Sequence, residues 1–107
     1  MTEKKQIVRD GAVAQKNSGR GMYQKGDATL GPFLVDYKEF TESFAVSRRS
    51  WAKLQSDAFR TAQSQPAFRL ILGSKDSPEK LRLWVISDDM FWEMLEAWEE
   101  KYGDQGR

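Results

Sequence analysis

The stretch from Gly26 to Phe40, Gly-Asp-Ala-Thr-Leu-Gly-Pro-Phe-Leu-Val-Asp-Tyr-Lys-Glu-Phe, leaves the backbone few options. Gly31-Pro32 is a turn signal between two runs suited to strands, so 28–40 reads as a hairpin or a bulged strand. Its second half, 33–40, is the stronger strand. Successive side chains of a strand point to opposite faces. Asp36 and Lys38 therefore share one face, and Val35 and Tyr37 take the other, toward a core. Asp27, at a Gly-flanked turn, is expected at the same edge as Asp36 and Lys38.

Two carboxylates and an ammonium at one sheet edge suit metal-assisted phosphodiester hydrolysis. The acids hold a divalent ion, which polarises the phosphate and generates hydroxide from water. The lysine orients that water or offsets charge developing in the transition state. A plainer reading stands beside this one. Asp-x-Lys is a short pattern that is often a solvated strand face, and Gly-Asp is often only a turn. The chain has no histidine and no cysteine. That excludes Ser-His-Asp triads, His bases, thiolate nucleophiles, disulfides and metal sites built on His or Cys. Catalysis must use carboxylates, Lys, Tyr or an oxygen-ligated ion such as magnesium or manganese.

The 107 residues suffice for one domain, expected over 1–103, with 104–107 as a disordered tail. No apolar run approaches a membrane span, and Met-Thr-Glu-Lys-Lys-Gln lacks a signal-peptide core. The expected location is the cytoplasm. Residues 1–69 hold 12 basic and 7 acidic side chains, whereas 70–107 hold 5 and 9. A basic half suits a phosphate backbone and an acidic half a face turned away from it. Ordinary solubilising charge is the equal alternative.

A short helix is expected over 3–9, capped by Thr2 and stopped by Asp10-Gly11. A first strand follows over 12–16. Residues 17–26 read as a loop by their Gly, Asn and Ser content. It is either a flexible hairpin loop or a DNA-contacting loop carrying Lys16, Arg20 and Lys25. Ser47 caps a helix predicted over 48–64, with Trp51, Leu54, Ala58 and Ala62 on one stripe and Arg48, Arg49, Lys53 and Arg60 beside it. Strands are expected over 67–72 and 80–86. A last helix starts at Ser87-Asp88-Asp89 and ends at Gly103. Phe91, Leu95, Trp98 and Tyr102 form its apolar stripe, with Met94 beside it. Trp92 falls off the stripe and either closes the core or marks a dimer contact. The fold class is α/β, a small mixed sheet flanked by helices.

The ordered series Asn17-Ser-Gly-Arg, Gln24-Lys-Gly-Asp27, Phe33-Leu-Val-Asp36-Tyr-Lys38, Phe44-Ala-Val-Ser47, a basic helix, and Pro66 before an apolar strand resembles the PD-(D/E)XK nucleases. The likeness is to the small Holliday-junction-resolvase-like nucleases of archaea and bacteriophages, over about residues 11–73. The resemblance implies a restriction-endonuclease-like fold, a homodimer, a phage source, and magnesium-dependent cutting of branched or structured DNA. It implies Asp27 and Asp36 as metal ligands, with the Tyr37 carbonyl completing the shell and Lys38 as the active-site lysine. Ser18 would lie near the scissile phosphate. Glu3, 24 residues before Asp27, would be the first-helix glutamate of the family, with Asp10 as a poorer alternative. Asp36 stands where glutamate is commoner, and its carboxylate is set back by one methylene.

The expected function is therefore metal-dependent endodeoxyribonuclease activity. Lys16, Ser18, Arg20, Lys25, Ser47, Arg48, Arg49 and Lys53 are the expected DNA contacts. The alternative is a non-catalytic DNA-binding or protein-interaction module on a degenerate nuclease fold. A modest core and a Trp-rich last helix suit a homodimer.

Overall fold

Gly11 closes the first element in a way the chain dictates. It adopts φ +75°, and its N–H donates to the Val8 carbonyl while the Ala12 N–H donates to the Ile7 carbonyl. This is a Schellman ending, and Ala12 packs back on the cluster that holds Ile7. The helix it ends is α1 (Glu3–Asp10), followed by β1 (Val13–Asn17), β2 (Met22–Leu30), β3 (Phe33–Phe40), α2 (Arg48–Phe59), β4 (Gln65–Leu72), β5 (Leu81–Val85) and α3 (Asp88–Tyr102). The structure, a computed structural model, describes residues 3–17, 22–63 and 65–103, and only the backbone of 15–17 and 22–26. Thr2 and the expected tail at 104–107 lie outside the described residues.

The five strands form one sheet in sequence order. β1, β2 and β3 make an antiparallel meander, β4 runs parallel to β3, and β5 returns antiparallel. α2 supplies the crossover that a parallel neighbour requires. The fold is thus the mixed sheet with helices that the sequence predicts. The β2–β3 turn is the two-residue Gly31-Pro32 link, with Leu30 opposite Phe33. Gly31 takes φ +55°, a value glycine reaches without a Cβ penalty and one that hairpin turns of this length demand.

Two faces of the sheet bury two clusters. Ile7 of α1 sits with Ala28, Val35, Tyr37, Ala67 and Ile71 on one face. Leu54 and Ala58 of α2 sit with Leu34, Phe68 and Leu70 on the other. Val35 and Tyr37 are fully buried, as the alternation predicts. Phe44 stacks between Phe40 and Phe68, with ring centroids 5.4 Å from each, and fastens the loop before α2.

Three expectations need correction. Residues 22–26 belong to β2 and not to a loop, because Met22 and Tyr23 pair with Asn17 and Lys16 of β1. Asp27 accordingly lies inside a strand, not at a turn. α2 ends at Phe59, not Ser64, because Thr61 draws the chain out of the helix. Its hydroxyl donates to the Ala58 carbonyl and accepts from the Gln63 N–H. Ala62 is therefore off the stripe and exposed. No described helix is long and apolar enough to cross a membrane.

Candidate functional site

The register places Asp27 directly opposite Asp36, the last pair of the β2–β3 ladder among the described residues. Opposed residues in a ladder share a face. That face is the one covered by α2, since Leu34 lies in the α2 cluster two residues before Asp36. Lys38 follows on the same side, and its Nζ lies 3.4 Å from Asp36 Oδ1. The same ammonium stands 5.9 Å from the Phe44 ring centre. β3 thus delivers acid and cation by alternation alone.

α2 closes the site from above. Its Ser47 cap accepts from the Ser50 N–H at 3.0 Å, and Ser50 returns a bond to the Ser47 backbone N–H. This box fixes the start of the helix and hence its rotation over the sheet. Ser50, Lys53, Leu54 and Asp57 follow at helical spacing and face the strands. Together with Asp27, Asp36, Lys38, Phe44 and Phe68 they line an open cavity of about 280 Å³.

Charge in this cavity is unbalanced toward acid. Asp27 is only 6% exposed. Burial, then the charges of Asp36 and Asp57, push its carboxyl up to about 7, and Lys38 and Lys53 offset this only in part. Burial also raises Asp36, against the opposing pull of Lys38 and Lys53 and a hydrogen bond from Asp27. Two adjacent carboxylates in a largely buried site cannot both ionise cheaply, so the pair resists losing its last proton unless further positive charge is supplied.

A hard cation would relieve that imbalance. Among the described residues, no group of three or more His, Cys, Asp or Glu side chains is arranged to hold a metal ion. Two adjacent carboxylates in an open cavity nevertheless fit magnesium, which is bound through one or two carboxylates and keeps several waters. Asp27 and Asp36 are the residues that would hold it.

The remaining predicted residues divide clearly. Lys53 lines the cavity. Arg48 borders a separate shallow hollow with Val46, Trp51 and Gln55. Arg49 is exposed at the start of α2. The Ser47 hydroxyl is engaged in the helix cap. Ser18 and Arg20 lie outside the described residues, as do the side chains of Lys16 and Lys25. Glu3 does not line the cavity, and its helix packs on the opposite face of the sheet. Tyr37 also points to that face, where its hydroxyl donates to Asp10 at 2.8 Å.

Asp10 is no spare site acid. Arg69 Nε donates to it at 3.0 Å and Gln6 Nε2 at 2.7 Å. Burial pushes this carboxyl up, but the bonds from Arg69, Tyr37 and Gln6 outweigh it and hold the group below its ordinary value. Arg69 also stacks on Trp84, 4.6 Å from the ring centre, and Arg82 donates to Gln6 at 3.1 Å. This network clamps α1 to β3, β4 and β5.

Asp57 is the ionisable cavity residue that sequence reasoning missed. Its signal was the spacing Ser50, Lys53, Asp57, which places it beside the buried Leu54 and Ala58. Comparison with protein-family models, with curated proteins and with solved structures finds no match for this chain.

Proposed function

We propose that the chain is a magnesium-dependent endodeoxyribonuclease with a restriction-endonuclease-like core. The observation that carries this reading is the opposition of Asp27 and Asp36 in one open cavity with Lys38 and Lys53. The parallel β3–α2–β4 unit beside an antiparallel hairpin, with helices on both faces, accords with that core. Magnesium at the two acids, or manganese in its place, supplies Lewis acidity toward a phosphoryl oxygen and lowers the pKa of a bound water. Lys38, held at Asp36, stands where it can offset charge on the phosphorane-like oxygens. Lys53 neutralises phosphate from the roof of the cavity, and Arg49 does so at the start of α2. Water adds to phosphorus as one ester oxygen leaves, giving a phosphomonoester and a hydroxyl end. The Tyr37 carbonyl belongs to the strand that bears Asp36 and is the candidate third protein ligand. Branched or structured DNA, and a host-cell cytoplasm for a phage-encoded enzyme, rest on the sequence resemblance alone.

A second reading is a DNA-binding module without catalysis. It is favoured by Glu3, whose helix lies across the sheet from the cavity.

The deciding experiment incubates labelled four-way-junction, single-stranded and duplex DNA with the protein in magnesium or manganese. Metal-dependent cutting that disappears in Asp36→Ala and Lys38→Ala supports the nuclease. Tight DNA binding without cutting in either metal overturns it in favour of the binding module.

A further inference from the structure

The two acids sit low in their cavity. Asp27 is buried and Asp36 half-buried, so a phosphate reaches them by entering between α2 and the sheet. That gap is shallow. Leu54 and Ala58, next in the chain to Lys53 and Asp57, are packed on the sheet. The cavity of about 280 Å³ is the space left beside that contact. Small-molecule pockets begin at about 300 Å³, so this one suits a single nucleotide and not two paired strands. In a duplex each phosphate comes with a paired base that cannot follow it in. Enzymes with recessed sites act on single strands or extrude a nucleotide, and the cost is least where the strand is already unpaired.

The wall of the cavity continues as an aromatic step. Asp36, Lys38 and Phe40 alternate along β3 and share the side that α2 covers. Phe40 is 44% exposed. Its ring stacks on Phe44, with centroids 5.4 Å apart and planes at 25°. Phe44 in turn lines the cavity and lies 5.9 Å from the Lys38 ammonium. Four residues of strand put Phe40 about 13 Å from Asp36. A lone exposed phenylalanine is ordinary on a protein surface. This one is set apart by its place, at the end of a row of acid, cation and ring on one strand face. Proteins that bind single strands join cations that track the backbone to rings on which bases stack. Arg48 and Arg49, both exposed, add positive charge just beyond the Phe44 loop.

Resting on the nuclease reading, we propose that the site takes an unpaired DNA strand, its scissile phosphate drawn under α2 to Asp27 and Asp36 and a flanking base stacked on Phe40. Lys38 then stands beside the phosphate, and Phe44 backs the ring that carries the base.

The test follows cleavage of one labelled oligonucleotide in three forms, in magnesium and in manganese. The strand is free and unstructured, annealed to its full complement, or annealed to two shorter strands that leave a central gap. Wild type is compared with Phe40→Leu, Phe40→Trp and Phe59→Leu. Leucine keeps apolar bulk on Phe44 and removes the flat ring, whereas tryptophan keeps a ring. Phe59, exposed at the end of α2, is the control. Wild type is expected to cut the free strand and the gap and to spare paired stretches. Phe40→Leu is expected to raise KM for the free strand about tenfold with kcat little changed, the scale of one lost base stack. Phe40→Trp and Phe59→Leu are expected to stay near wild type. Should Phe40→Leu fail to fold, Phe40→Met takes its place. Equal cutting of the full duplex overturns the proposal and leaves the nuclease reading standing. So does an unchanged KM in the Phe40 variant that lacks a ring. No cutting of any form in either metal overturns both.

Discussion

Asp27 and Asp36 face each other directly across β2 and β3, and Asp57 overlooks them from α2. Three carboxyls against two lysines make the cavity a site that favours a cation or a proton. Three consequences of this imbalance can be measured, and a fourth test concerns the opposite face.

Magnesium should stabilise the fold through the Asp27–Asp36 pair. A ligand that binds only the folded state raises stability with its concentration, by about 2.7 kcal/mol at a hundredfold excess over its dissociation constant. The urea midpoint of wild type should therefore rise with magnesium. Asp27→Asn and Asp36→Asn should show no rise. In a cleavage assay Lys38→Ala should cost about a hundredfold or more in rate, the usual scale for one group that stabilises developing charge.

Without divalent ions, stability should fall as pH rises from about 4 to about 7, the window between the ordinary and the raised value of Asp27. The folded chain holds a proton on Asp27 that the unfolded chain releases at lower pH. Stability due to that proton is present at the acid end of the window and gone above its upper end. The change is on the order of a few kcal/mol. Asp36 is shifted in the same direction and adds to it. Urea melts at the two ends of the window would show it. Asp27→Asn should flatten the slope, and magnesium should oppose it.

Asp57→Asn should move the Asp27 titration toward acid, because it removes a like charge facing the buried carboxyl. Carboxyl-carbon NMR of the metal-free protein would report the midpoint. An unchanged midpoint would mean that Asp57 does not sense the pair. The urea stability of this variant at neutral pH should match or exceed wild type.

On the opposite face, Asp10→Asn should cost about 3–5 kcal/mol, the scale for breaking a buried ion pair from one side. Arg69 would be left 9% exposed with its charge uncompensated. Arg69→Met combined with Asp10→Asn should recover part of the loss, which a double-mutant cycle in urea would show. The low value of Asp10 acts in a separate pH window. Its contribution is full above its unfolded value and disappears only as pH falls through the folded one.

Local rules made much of this legible. Alternation through 33–40 and the Gly31-Pro32 turn sufficed to put Asp36 and Lys38 on one face and Tyr37 on the other. The same turn, with no bulge between Leu30 and Asp27, set Asp27 against Asp36. Helical spacing puts Asp57 on the side of Leu54 and Ala58, but it does not say which strands that side covers, so the opposition to Asp27 and Asp36 came only from the packing. Arg69 interrupts an apolar strand, and nothing near it in the chain announces Asp10, 59 residues away. The stripe on α3 reads the same whether a sheet covers it or water does. Only the packing reveals that its first turn alone is tied down.

Tyr37 gives the site its indexing. Its ring fills the α1 face and its hydroxyl is held by Asp10, so β3 cannot creep by one residue without lifting a buried phenol out of its socket. Such a creep would also turn Asp36 and Lys38 into the apolar layer and expel Val35 from it. The cavity is thus calibrated from behind, by groups that never touch it. A substitution in Gln6, Asp10 or Arg69 acts as a change of zero point, and its effect would be read on the far side of the sheet as misaligned charge.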